Sequence, residues 1–203
     1  MGKNKNDMNT LIELYEQNAH TTDKWGIDEN THSYLTVYDS IFKRLKDKCR
    51  RVLEIGIYKG DSLNLWAEYF TNATIYGIDR NFKQIDVKLH STVEVFQRDA
   101  YKKAIVDLLR GIGKFDIIID DGSHRRTHQR FVVENLLNLL TDDGILIIED
   151  AVCWSPEVMK TDHVRKLIHY FPRSLRRCVY SDDRRKVKNN VNDYLIICDK
   201  ALC

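Results

Sequence analysis

Proline is nearly absent from this chain. Its 203 residues hold two, Pro156 and Pro172, so no Pro-rich linker divides it. One domain of ordinary size is the expected organisation. No apolar stretch reaches the roughly 18 residues of a membrane-spanning helix. The opening MGKNKNDMNT lacks the apolar core of a secretory signal. Position 6 is Asn, which breaks a myristoylation pattern after Gly2. The five cysteines, Cys49, Cys153, Cys178, Cys198 and Cys203, contain no C-x-x-C pair. Reduced thiols in a cytoplasmic protein are expected, rather than disulfides or a zinc site. An excess of one charge is missing too: 32 basic against 30 acidic side chains leave +2. That balance weighs against a protein built mainly to hold nucleic acid.

What is present is a rhythm. Short Ile- and Val-rich runs recur at 51–56, 74–78, 93–96, 115–119 and 144–148. Each ends at or beside Gly, Asp, Gln or Glu. Runs apolar on both faces are the mark of buried parallel strands. Between them, 62–70, 101–110 and 126–140 place apolar residues on one helical face (Leu63, Trp66, Ala67 and Phe70 in the first). Five such alternations predict a doubly wound α/β sheet. A helix near 162–167 and two strands, near 175–180 and 193–198, follow. The strands are joined by a charged turn at 181–190 and predict an antiparallel hairpin. Residues 8–46 read as two helices flanking a polar segment, 21–31. The expected division is an N-terminal helical extension or lid, 1–48, and a Rossmann-like domain, 49–203.

The first strand runs into Glu54-Ile55-Gly56-Ile57-Tyr58-Lys59-Gly60-Asp61-Ser62. Ligands of open α/β sheets sit outside the carboxyl ends of the strands, which is here. A dinucleotide fingerprint needs glycine at 58 and 61. Tyr58 would block close approach of a pyrophosphate, and Asp61 puts an anion where phosphates would lie. A cofactor without phosphates, carrying a sulfonium and an ammonium, tolerates both: S-adenosylmethionine (SAM). Asp79 ends the second strand, about 20 residues past the loop, where a carboxylate suits two ribose hydroxyls. Arg80 follows it. Asp99 and Ala100 end the third, placed to read an adenine edge. A helix N-cap is the other reading of Asp99.

The fourth strand ends in Asp120-Asp121-Gly122-Ser123-His124 and the fifth in Glu149-Asp150. Neighbouring strand ends lie roughly 5 Å apart. Asp121, Glu149 and Asp150 can converge there, and a hard divalent cation resolves their repulsion. Oxygen-only ligands favour Mg²⁺, Mn²⁺ or Ca²⁺ over zinc. His124 stands beside them as a candidate base for an alcohol that must attack a methyl sulfonium. The competing reading makes Asp121 and His124 caps of the following helix. His128, one turn further on, reads as a solvated helix position.

These residues resemble a family: class I SAM-dependent methyltransferases of the macrolide-sugar and rhamnosyl O-methyltransferase type, related to the cephalosporin-hydroxylase-like group. The likeness runs from about residue 19 to 155. It rests on Thr22-Asp23-Lys24, His32-x-Tyr34 with Tyr38, the first strand and its Gly loop, Gly77-Ile78-Asp79, Asp120-Asp121-Gly122-Ser123-His124 and Glu149-Asp150. The resemblance implies a mostly parallel seven-stranded sheet with a C-terminal antiparallel hairpin. It implies Mg²⁺ (or Mn²⁺) on Asp121, Glu149 and Asp150, with His124 and Asp121 catalytic. The implied cofactor pocket takes in Lys24, Tyr34, Glu54, Gly56, Tyr58, Ser62, Asp79, Arg80, Asp99, Ala100 and Asp120. The segment from Thr22 to Tyr34 would close over cofactor or substrate. A sugar or glycoside acceptor and a homo-oligomer are implied partners; a phenol, a nucleic-acid ribose or a non-catalytic SAM-binding role are the alternatives. Three basic groups, at 125–130, 173–177 and 184–188, read as solvated surface or as a groove for an anionic acceptor.

Overall fold

β1 (Arg51–Ile55), β2 (Thr74–Asp79), β3 (Val93–Gln97), β4 (Phe115–Asp120), β5 (Leu140–Ile148), β6 (Val179–Asp183) and β7 (Tyr194–Asp199) form one sheet. The computed structural model describes residues 9–26, 31–151, 160–185, 187 and 193–203. The order is β3-β2-β1-β4-β5-β7-β6. β1 to β5 pair in parallel, while β7 runs antiparallel to both β5 and β6. This is the doubly wound sheet that the apolar runs predict, with the seven strands and C-terminal hairpin that the resemblance implies.

The central strands are apolar throughout because both faces are covered. Successive side chains point to opposite faces. Leu53, Ile55, Ile118, Leu146 and Ile148 pack beneath α4 (Lys103–Ile112), α5 (Arg126–Asn135) and α6 (Lys160–Tyr170). Val52, Ile117, Ile119, Ile145 and Ile147 face α3 (Asp61–Tyr69) and the N-terminal helices α1 (Leu11–Gln17) and α2 (Leu35–Phe42). The N-terminal extension therefore shares its core with one face of the sheet. Tyr38, Phe42, Trp66 and Phe70 form a chain of ring contacts with centroids 5.1–5.8 Å apart.

Two boundaries differ from the periodicity, and one pairing overturns an expectation. α5 stops at Asn135, and Leu137–Leu139 form a 3₁₀ turn. Leu140 then opens β5 opposite Phe115, where the ladder with β4 is irregular. β6 begins at Val179 rather than near 175, because Arg176–Cys178 is a second 3₁₀ turn. Cys178 is not a reduced thiol: it is bonded to Cys203, with Cα atoms 5.3 Å apart. A 3₁₀ turn over Lys200–Leu202 folds the last residues back onto it. The lack of a C-x-x-C spacing says nothing about partners 25 residues apart. Cys49 and Cys198 are free and buried, and Cys153 lies outside the described residues.

Three strand ends are laced together at Gly56. Its N–H donates to Ile78 O (2.9 Å), and Asp121 N–H donates to Ile55 O (2.9 Å). Gly56 has φ +92°, and a Cβ there would sit 2.1 Å from the carbonyl oxygen of Asp121. Both the dihedral and the crowding require glycine. Gly56→Ala is expected to lower the unfolding free energy by about 2–4 kcal/mol, read by urea denaturation. A change below about 0.5 kcal/mol would show that the two loops do not touch.

Candidate active site

The carboxyl ends of β1, β2 and β4 open into a cleft of about 390 Å³. Its lining includes Gly56, Tyr58, Ser62, Asp79, Arg80, Ala100, Tyr101, Asp121 and His124. Asp79 is fixed by two backbone donors: Ile57 N–H to Oδ2 and Asn81 N–H to Oδ1, both 3.0 Å. Its remaining lone pairs are available to hydroxyls. Arg98 and Gln84 add polar groups around the same space.

Over the other wall runs the segment from His20 to Lys24, held by one carboxylate. Asp61 Oδ2 accepts from the amides of Thr21 and Thr22, and Oδ1 meets His20 Nδ1 at 2.9 Å. His20 Nε2 reaches Glu68 Oε2 at 3.0 Å. Asp61, read from sequence as an obstacle to phosphate, is thus the anchor of the N-terminal segment.

That segment delivers Lys24 to the end of the sheet. Its side chain is 1% exposed, with Nζ 2.7 Å from Asp121 Oδ2, 2.7 Å from Glu149 Oε1 and 3.3 Å from Glu54 Oε1. Tyr38 O–H donates to Glu149 Oε1 (2.5 Å) and Tyr34 O–H to Asp150 Oδ1 (2.6 Å). Burial alone would lower the Lys24 pKa, but the charges of Asp121, Glu149 and Glu54 hold it well above the usual range. Burial, then the Asp121 charge, pushes Glu149 well above the carboxylate range. Glu54 is raised mainly by burial and Asp120 to about 6 for the same reason. One ammonium serves three carboxylates, a formal deficit of two positive charges. An all-oxygen set with that deficit fits a hard divalent cation. No ready ligand sphere stands open among the described residues: Lys24 sits between Asp121 and Glu149, and Asp150 is turned to Tyr34.

His124 lies at the rim. Its Nε2 is 3.9 Å from Asp150 Oδ2, while Nδ1 is buried and has no hydrogen-bond partner among the described residues. His124, Asp150 and Tyr58 all have φ near +50°. A side chain held in the left-handed region is uncommon, and here three such residues surround one site. The cap of α5 is Arg125, with no side-chain cap bond, so neither Asp121 nor His124 caps that helix.

Of the residues expected around a cofactor, Gly56, Tyr58, Ser62, Asp79, Arg80 and Ala100 line the cleft. Glu54 lies beneath it, its Oε2 accepting from Ser62 Oγ and Trp66 Nε1. Asp120 is buried and accepts from Tyr101 O–H (2.9 Å). Asp99 accepts from the Tyr101 amide (3.1 Å), a local turn bond. Lys24 and Tyr34 sit in the carboxylate cluster. His128 is half-buried on α5: it stacks on Tyr101 at 4.0 Å and its Nδ1 meets Ser123 Oγ at 2.6 Å. Several of the basic side chains are internally paired, Arg130 with Glu134, Arg185 with Asp183 and Arg176 with main-chain carbonyls. No helix among the described residues is long and apolar enough to cross a membrane.

The Asp61–His20 anchor sets a pH window. Burial lowers the His20 pKa, but the bonds to Asp61 and Glu68 outweigh it and leave it above 6.5. Burial raises Asp61, but His20 and the Thr21 amide outweigh that and hold it below 3.8. The imidazole contributes fully below 6.5 and loses its contribution as pH rises through the raised value. The carboxylate contributes above 3.8 and loses its contribution as pH falls through the lowered value. The urea-midpoint difference between wild type and His20→Gln is therefore expected to peak between pH 3.8 and 6.5 and shrink above. A difference independent of pH would remove the ion pair from the anchor.

Residues 53–151 match the family model described as "Methyltransferase domain". The chain is 34% identical over 157 residues to mycinamicin VI 2''-O-methyltransferase of Micromonospora griseorubida, covering 73% of this chain and 37% of that protein. It is 34% identical over 140 residues to 8-demethyl-8-alpha-L-rhamnosyl tetracenomycin-C 2'-O-methyltransferase of Streptomyces olivaceus, covering 64% and 35%. Among solved structures it resembles the MycE methyltransferase in complex with Mg, SAH and mycinamycin VI, at 25% identity and a TM-score of 0.72. That likeness covers 95% of this chain and 54% of the other. The chain thus spans about a third of the curated relatives and about half of the solved one. The family match covers the Gly loop, the Asp-Asp-Gly-Ser-His loop and the Glu-Asp pair.

Proposed function

We propose that this chain is a divalent-metal-dependent SAM O-methyltransferase acting on a sugar hydroxyl, of rhamnose or another deoxyhexose in a glycoside or glycan. One observation carries the reading: Asp121 and Glu149, from neighbouring strand ends, both stand 2.7 Å from the Lys24 ammonium, while Asp150 lies 3.9 Å from the His124 ring and Asp121 and His124 line the cleft. The sugar O-methyltransferases among the relatives, and Mg and SAH in the related MycE structure, support the same acceptor, metal and cofactor.

Asp79, Gly56, Arg80 and Ala100 would hold the cofactor along the strand ends, and Asp121, Glu149 and Asp150 would hold the metal. When bound, SAM supplies the methyl group and the divalent ion lowers the pKa of the acceptor alcohol. His124 Nε2 is placed to accept the proton of an acceptor hydroxyl held at this rim. Asp150, 3.9 Å away, stabilises the imidazolium so formed. Tyr34 and Tyr38 fix the carboxylates by donating to Asp150 and Glu149. The segment Thr21–Lys24 walls the cleft and limits water. Assembly of copies, with acceptor contacts from a second copy, belongs to this reading.

The test is methyl transfer from SAM to a panel of deoxysugar glycosides, with and without EDTA. Chelation is expected to abolish turnover and added Mg²⁺ or Mn²⁺ to restore it. His124→Ala should cut kcat by about 100-fold or more, with SAM binding by calorimetry within a few-fold of wild type. Full activity in EDTA, or an unimpaired His124→Ala, would contradict the mechanism.

A further inference from the structure

Lys24 has two seats, and only one is fully used. Its ammonium hydrogen-bonds Asp121 and Glu149. At 3.3 Å stands Glu54 Oε1, a buried oxygen with no hydrogen-bond partner among the described residues. The rest of that carboxylate is locked, with Oε2 accepting from Trp66 Nε1 (2.7 Å) and Ser62 Oγ (3.0 Å). We propose that Lys24 is an exchangeable internal counter-cation, which occupies the place between Asp121 and Glu149 until a divalent ion enters and then moves to Glu54 Oε1. The inference rests on reading the cluster as a divalent-cation site.

Three features carry it. First, charge: one ammonium faces Glu54, Asp121 and Glu149, a formal deficit of two that a divalent ion plus the retained ammonium offsets, while Asp150 has its own partners in Tyr34 (2.6 Å) and, at 3.9 Å, the rings of His32 and His124. A divalent ion that expelled Lys24 altogether would leave a buried carboxylate unpaired. Second, mobility: the Lys24 carbonyl accepts from the amides of Tyr34 (3.0 Å) and Leu35 (3.3 Å), so the main chain is pinned. Only the flexible four-carbon stem needs to turn. A compact ammonium can make that move; a guanidinium forked across two carboxylates would not. Third, the receiving groups stay in place, since Tyr38 holds Glu149 and Tyr34 holds Asp150 without using Lys24. In the metal-free protein Lys24 thus prevents the repulsion that would push Asp121 and Glu149 apart.

The test uses ¹⁵N-lysine NMR of the intact wild-type protein, with the Lys24 ammonium assigned by its loss in Lys24→Met. Titration with Mg²⁺ is expected to move that resonance to a new, saturable position. Mn²⁺ affinity, measured by electron paramagnetic resonance, gives the second readout. Lys24→Met should bind Mn²⁺ at least tenfold more tightly than wild type, and Glu54→Gln at least tenfold more weakly. In Lys24→Met, Glu54→Gln should change the affinity by less than threefold, because the seat matters only to its occupant. A Lys24 resonance unmoved at saturating Mg²⁺, or equal effects of Glu54→Gln in both backgrounds, overturns the exchange while leaving the metal site standing. No Mn²⁺ binding by any of the proteins overturns both.

Discussion

A buried ammonium flanked by carboxylates organises this molecule. Lys24 comes from the N-terminal segment, Glu54 from β1, Asp121 from the end of β4 and Glu149 from the end of β5. A charge in the interior must be paired, and a pair broken on one side costs roughly 3–5 kcal/mol. The cluster therefore fixes the N-terminal segment against the sheet edge. It also fixes the spacing of the two loops on which a metal site would depend. The aromatic wall of Tyr38, Phe42, Trp66 and Phe70 keeps water from the cluster and strengthens every interaction in it.

Two neighbouring loops inherit their shape from that constraint. Gly56 lies against the carbonyl of Asp121, so the cleft floor and the carboxylate cluster share one backbone contact. Asp61 ties Thr21 and Thr22 to the start of α3, so the cleft wall and the segment bearing Lys24 are joined by one carboxylate. His124 and Asp150, each in the left-handed region, direct their side chains to the same rim.

Much of this was legible in the residues. Apolar runs such as 115–119 and 144–148 are long enough to need cover on both faces, which announces central parallel strands. Acidic residues directly after them can only fall at the carboxyl edge. The convergence of Asp121 and Glu149 followed from strand adjacency, and the structure brings them to one point. What could not be read was long-range pairing. Nothing local in Cys178 or Cys203 marks the other as its partner. Asp61 looked like a ligand filter, because its partners His20, Thr21 and Thr22 lie some 40 residues earlier. Lys24 was placed near a cofactor on the strength of resemblance. That its ammonium stands between two carboxylates depends on packing of the whole N-terminal segment, which no spacing encodes. Tyr38 lies four residues after Tyr34, which puts both phenols on one helical face, a signal the sequence does carry.

On the proposed function, the oxygens of Asp121, Glu149 and Asp150 share one divalent ion beside His124, opposite a sulfonium donor. The most direct measurement is a crystal structure with Mn²⁺ and S-adenosylhomocysteine, using anomalous scattering from manganese. A single strong anomalous peak bounded by those three carboxylates is expected, with the His124 ring and the cofactor sulfur facing the same space. A peak elsewhere, or sulfur on the far side of the sheet edge from His124, would contradict it.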